Sequence, residues 1–115
     1  MEIYFRCKKI QKACSSERES DRTWGDQLAK KVRQRLAELK AAETLAEISH
    51  LPPARCHELS GKRRRQFAVD LKHPLRLVFE PMHSRVPLKE DGGVDLGNVT
   101  AICIVGVEDY HGKGR

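Results

Sequence analysis

The periodicity of this chain changes once, at Pro52-Pro53, and that change limits what the chain can fold into. Before the prolines, Leu28, Val32, Leu36 and Leu39 stand at i, i+4, i+8 and i+11, one apolar stripe of a helix that Asp26 is placed to cap. After them the pattern alternates. Phe67, Val69 and Leu71 fall on one side of an extended segment, with Gln66, Ala68 and Asp70 on the other. Beyond a hairpin-like Lys72-His73-Pro74, Leu75, Leu77 and Phe79 repeat the alternation, with Arg76 and Val78 opposite. Helices that precede strands, rather than alternate with them, specify an α+β domain.

The remaining segments fit that frame. Residues 2–6 alternate and are rich in Ile, Tyr and Phe, a first strand; residues 8–24 form a helix with Ile10, Ala13 and Cys14 on one face, ended by Gly25. On the second helix, Lys30, Lys31, Arg33, Gln34, Arg35, Glu38 and Lys40 read as a solvated surface with intrahelical ion pairs. Residues 44–49 add a helical turn, residues 55–59 a short strand, and Gly61 opens a turn. Residues 81–97, with two prolines and Gly92-Gly93, read as a long exposed loop, and residues 99–107 as a buried central strand that carries Tyr110 and His111 to its far end. The expectation is one domain over residues 1–115, two N-terminal helices packed on a largely antiparallel sheet of about four or five strands. At 115 residues such a domain buries roughly two thirds of its unfolded surface and needs neither metal nor disulfide to fold.

Charge is unevenly spread. The chain holds 22 Lys and Arg against 16 Asp and Glu, a net charge of +6 that favours polyanionic partners. Residues 1–50 carry 11 basic and 8 acidic groups, residues 51–80 carry 7 and 3, and residues 81–115 carry 4 and 5, so the excess is densest in the middle thirty positions. Aromatic residues are few, which argues against a platform for stacked bases. Cys7, Cys14, Cys56 and Cys103 show neither a CxxC pair nor zinc-ligand spacing, and read as reduced thiols. Cys56 neighbours His57, but adjacent strand residues point to opposite faces, so a thiol nucleophile is not expected. With no secretory pattern at the N-terminus and no stretch near the ~20 apolar residues of a membrane span, the expected setting is cytoplasmic, without a membrane partner.

Two short histidine-bearing segments flank the basic region: His57-Glu58-Leu59-Ser60-Gly61-Lys62-Arg63 and Val107-Glu108-Asp109-Tyr110-His111. Metal-free RNA cleavage needs a base for the ribose 2′-hydroxyl, cations for the charged phosphorane and an acid for the leaving 5′-oxygen. Histidine titrates near neutrality and fills either proton-transfer role, and arginine supplies planar donors that stay protonated. His57 and His111 are therefore the candidate acid and base, with Tyr110 as a further acid or stacking group. Lys62, Arg63, Arg65 and Arg76 are the candidate phosphate ligands. Each also has a bland reading: strand-end histidines cap backbone groups, a basic turn is soluble, and Arg76 can pair with Asp70 or Glu80. His50, His73 and His83 read as helix-end, turn and loop residues. Glu108 and Asp109 read as solvated carboxylates that can orient an imidazole.

These segments resemble the RelE/ParE superfamily of type II toxins, and most closely its HigB or "killer protein" branch. The resemblance is carried by Leu51-Pro52-Pro53-Ala54-Arg55-Cys56-His57-Glu58-Leu59-Ser60-Gly61, Phe67-Ala68-Val69-Asp70-Leu71, Leu75-Arg76-Leu77-Val78-Phe79-Glu80 and the closing Asp109-Tyr110-His111. It implies a RelE-like fold and a cofactor-free endoribonuclease, an mRNA interferase that cuts messenger RNA in the ribosomal A site. It also implies a HigA-like helix-turn-helix antitoxin as partner. His57, Tyr110 and His111 match catalytic positions of such toxins, and Arg63 and Arg76 match recurrent basic ones. Ser60 stands where HigB toxins carry a catalytic lysine, which passes phosphate contact to Lys62 or an arginine, and the loop after Glu80 is longer than the usual hairpin. The alternatives are a ParE-like toxin that inhibits DNA gyrase by binding alone, or a degenerate toxin kept as a binding partner.

Overall fold

A computed structural model describes residues 1–109 of the chain. The order of elements is β1 (Glu2–Phe5), α1 (Lys8–Ala13), α2 (Glu17–Trp24), α3 (Asp26–Ala41), β2 (His57–Glu58), β3 (Phe67–Asp70), β4 (Leu75–Pro81) and β5 (Ala101–Asp109). Single turns of 3₁₀ helix lie at Leu45–Glu47, Gly61–Arg63 and Leu96–Asn98. The five strands form one sheet in the order β1-β5-β4-β3-β2, antiparallel throughout except that β1 runs parallel to β5. The fold is α+β, as the change of period requires. Among the described residues no helix is long and apolar enough to cross a membrane.

Among the described residues three α-helices stand where two were expected, because the helix read over residues 8–24 breaks at Ser15-Ser16. Ser15 Oγ donates to the Lys12 carbonyl at 2.6 Å, and Ser16 Oγ accepts from the Glu19 amide at 3.1 Å, capping α2. Two hydroxyls competing for backbone partners end one helix and start the next. Gly25, at φ +78°, turns the chain between α2 and α3, a conformation open to glycine at little cost.

The core lies between the helices and one face of the sheet. Val32 and Leu39 of α3 and Leu45 meet Phe67 and Val69 of β3, Leu77 and Phe79 of β4, and Ile102, Ile104 and Val107 of β5. The alternation of β5 is reset by a bulge: Val78 pairs with Gly106 but Phe79 with Ile104, so Val105 is the extra residue and both Ile104 and Val107 face inward. The stretch between β4 and β5 is less exposed than expected. β4 runs on to Pro81, Leu88 bridges to Val94, and Val94 is buried in the core beside Val99.

One residue of the supposedly solvated helix face is among the most buried in the protein. Arg35 is 2% exposed; its Nε donates to the Asp70 carbonyl at 2.7 Å and one terminal nitrogen reaches both Glu38 oxygens at 3.1 Å. Its position one turn from Val32 and Leu39 places it on the inner face, where a guanidinium is tolerated only because its donors are used. Arg33 is half-buried and joins α3 to α2 through Ser20 and Asp21. Replacing Arg35 with Ala should lower the unfolding free energy by about 3 kcal/mol, since it opens a cavity and strips the Asp70 carbonyl of its donor. Arg35→Lys should recover less than half, because one ammonium cannot span both acceptors. Urea unfolding of the three proteins measures this, and equal stability of the alanine variant would refute it.

Candidate functional site

The second face of the sheet is polar. Register places His57 of β2 beside Ala68 of β3, Ala68 beside Val78 of β4, and Val78 beside Gly106 of β5. The next row on the same face is Asp70, Arg76 and Glu108. Residues between β2 and β3 fold over this face: Leu59 buries Ala68 and Val78 in a small satellite cluster, and the Gly61–Arg63 turn brings Arg63 over the sheet to Glu108.

His57 is held by the segment before it. The Asp70 amide donates to the Ala54 carbonyl at 2.7 Å, and the Cys56 amide to the Ser49 carbonyl at 2.9 Å. Arg55, at φ +46°, grips the Asp70 carboxylate through Nε at 2.7 Å and a terminal nitrogen at 3.1 Å. A non-glycine residue in the left-handed region is sustained by such a bidentate pair. The Arg55 carbonyl then receives His57 Nδ1 at 2.8 Å. A carbonyl can only accept, so Nδ1 carries the hydrogen, and Nε2 of the neutral ring holds the lone pair. That is the tautomer of a general base acting through Nε2.

The four expected phosphate ligands are placed differently. Lys62 and Arg65 are exposed, Arg64 with them, and the Arg65 amide is held by Glu58 at 3.0 Å. Arg76 lies in register between Asp70 and Glu108. Two strand spacings and two residues separate its Cα from that of His57, about 12 Å, within the span of a dinucleotide's contacts. Arg63 turns inward. Its terminal nitrogens meet the Glu108 oxygens at 2.5 and 2.8 Å, and its Nε meets Gln66 Oε1 at 2.9 Å. Gln66 continues to Glu80 at 3.2 Å, and Glu80 to Arg6 at 3.5 Å. Hydrogen bonds to Glu108 raise the Arg63 guanidinium above its ordinary range, against the opposing cost of burial.

Gln66 was not among the candidates, and Glu108, expected as a solvated carboxylate, is 13% exposed. Its face was not legible in alternation, because the bulge at Val105 sets it, and neither was the guanidinium from residue 63 that reaches it. Asp109 is also buried, in register with Leu75. Tyr110 and His111 lie outside the described residues. Among the described residues no three His, Cys, Asp or Glu side chains converge as a metal site would. No protein-family model matches the chain, and no curated protein is significantly similar to it.

Cys56 packs against the core, and burial pushes its thiol up to about 11; burial does the same to Cys14. A thiol held neutral at physiological pH is no nucleophile. Because the unfolded thiol has its ordinary value of 9.0, the unfolded chain loses this proton first. The stabilisation is complete below that value and is lost as pH rises towards 11. Cys56→Ala should therefore flatten the fall in stability between pH 9 and 11 by about 2 kcal/mol, read from urea midpoints along that range. For the Arg63–Glu108 pair, a double-mutant cycle to alanine should give a coupling of about 1 kcal/mol. A coupling near zero would mean that the pair does not hold the turn.

Proposed function

We propose that the chain is a toxin of the RelE/ParE superfamily, of the HigB branch, with a RelE-like fold, and that it is an endoribonuclease cutting translated messenger RNA on the ribosome. What carries the reading is His57: Nδ1 committed to the Arg55 carbonyl, Nε2 left as the base, on the same sheet face as Arg76 and five to eight residues before the exposed Lys62, Arg64 and Arg65. In this reading Nε2 takes the 2′-hydroxyl proton, the 2′-oxygen bonds to the adjacent phosphorus, and the P–O5′ bond breaks. His111 protonates the 5′-oxygen, assisted by Tyr110, and the products are a 2′,3′-cyclic phosphate and a free 5′-hydroxyl. Lys62, Arg65 and Arg76 hold phosphate. Arg63, bound to Glu108, acts first on the turn that presents them, and meets phosphate only if Glu108 is displaced. A helix-turn-helix antitoxin neutralises the protein, and the setting is the cytoplasm.

One observation favours the binding-only reading, in which a ParE-like toxin poisons DNA gyrase without cleavage. Arg63 is occupied and Ser60 is an exposed serine, so two cations of the resemblance are missing from the face. Induced expression separates the readings. The wild type should stop growth and leave breaks within translated codons, mapped by primer extension, and His57→Ala should reduce cleavage by about 10²-fold or more while leaving the protein folded. Growth arrest with intact transcripts, unchanged in His57→Ala, would select the gyrase reading.

A further inference from the structure

The two edges of the sheet differ. The β2 edge is two residues long, too short to template another strand, whereas among the described residues β1 pairs on one side only, with β5. Glu2 and Arg6 donate their amides to Thr100 and Ile104 at 3.0 Å each, so the amides and carbonyls of Ile3 and Phe5 point to the free edge. Glu2–Phe5 contains no proline, lysine or bulge, the usual devices that blunt such an edge. Its start is anchored, since the Met1 amino group reaches the Lys40 carbonyl at 2.9 Å at the end of α3.

Apolar surface flanks the edge on both sides. On the helical side a groove of about 470 Å³ is lined by Ile3, Phe5, Cys14 and Leu36. On the other side Tyr4 and Met82 are 45% and 48% exposed, and Met82 is fixed there by the hydrogen bond that its amide donates to the Ala101 carbonyl at 2.9 Å. An open strand edge between two apolar strips is an interface.

We propose that the occupant is a second copy of this chain, its β1 pairing antiparallel to β1 about Tyr4. The charges select it. With Tyr4 opposite Tyr4, Ile3 of one copy faces Phe5 of the other as a hydrogen-bonded pair, twice over, and Glu2 faces Arg6, also twice. A shift by one residue moves Ile3 and Phe5 to the wrong side of the pleat, and a shift by two sets Tyr4 opposite Glu2 or Arg6 and breaks both charge pairs. Arg6 is available, because its bond to Glu80 spans 3.5 Å and half of its side chain is exposed. The inference stands apart from the ribonuclease reading.

Sedimentation velocity over rising protein concentration, with amide hydrogen exchange, tests it. The wild type should show a reversible monomer–dimer equilibrium in which the Ile3 and Phe5 amides become protected as the dimer fills. Tyr4→Lys sets two ammonium groups face to face and should abolish the dimer. Glu2→Arg and Arg6→Glu should each weaken it by about tenfold, and the double variant, which swaps the charges, should restore it. If Tyr4→Lys does not fold, the charge swap decides. A wild type that stays monomeric, with freely exchanging Ile3 and Phe5 amides, overturns the proposal; so does a dimer that the single reversals leave intact or that the swap fails to restore.

Discussion

At the end of β3, α3 and the proline segment both meet on Asp70. Its carboxylate takes both donors of Arg55, its carbonyl takes Nε of Arg35 from α3, and its amide donates to Ala54 of the proline segment. In register it also lies beside Arg76. Hydrophobic burial presses α3 onto the sheet but is non-directional, and it sets neither the depth of the helix nor the path of residues 49–57. The directional bonds at Asp70 do both, and the orientation of His57 follows, since its Nδ1 partner is the carbonyl of the same Arg55. A hydrogen bond to the ring's other nitrogen fixes a tautomer as well as a position. The candidate base is thus tied through Arg55 and Asp70 to a buried arginine on the far side of the sheet.

The layout of the strands was legible because it rests on local pattern. Alternation around Phe67 and Leu77, the hairpin at His73-Pro74 and the apolar run of β5 each carry their own signal. The register shift at Val105 was not legible, since an extra residue in a β-branched run leaves the composition unchanged. Nor was the break at Ser15-Ser16, where serine is tolerated in a helix until its hydroxyl finds a backbone partner. Arg35 was misread for a more general reason. A cation on a helix is solvated by default, and the acceptor that changes its place, the Asp70 carbonyl, lies 35 residues away in sequence. The Arg63–Glu108 pair spans 45 residues and was missed likewise.

These pairings alter what the net charge of +6 means for a polyanion. Affinity for nucleic acid tracks the cations that can release counterions at the surface, not the total. Arg35 is buried, and Arg55 and Arg63 are each clamped by a carboxylate, so three of the basic groups around the densest region serve the fold first. Lys62, Arg64 and Arg65 remain exposed on one turn. A short cluster of that size positions a backbone without holding it tightly. Under the proposed function, it suits RNA already presented by another scaffold better than free RNA captured unaided.

The two ends of the sheet can then work without interfering. β1 and β2 are its opposite edges, so pairing through β1 leaves His57 and the basic turn at the outer ends of the joined sheet. Nine strand spacings separate the two β2 strands, about 43 Å. A twist of about 20° per strand accumulates over that distance to roughly a half turn. The two candidate faces are therefore turned away from one another, and neither copy shields the other's base. Self-association through β1 would cover the sheet's one long unpaired edge, which is otherwise an aggregation hazard, and would do so without burying any group that the proposed chemistry uses.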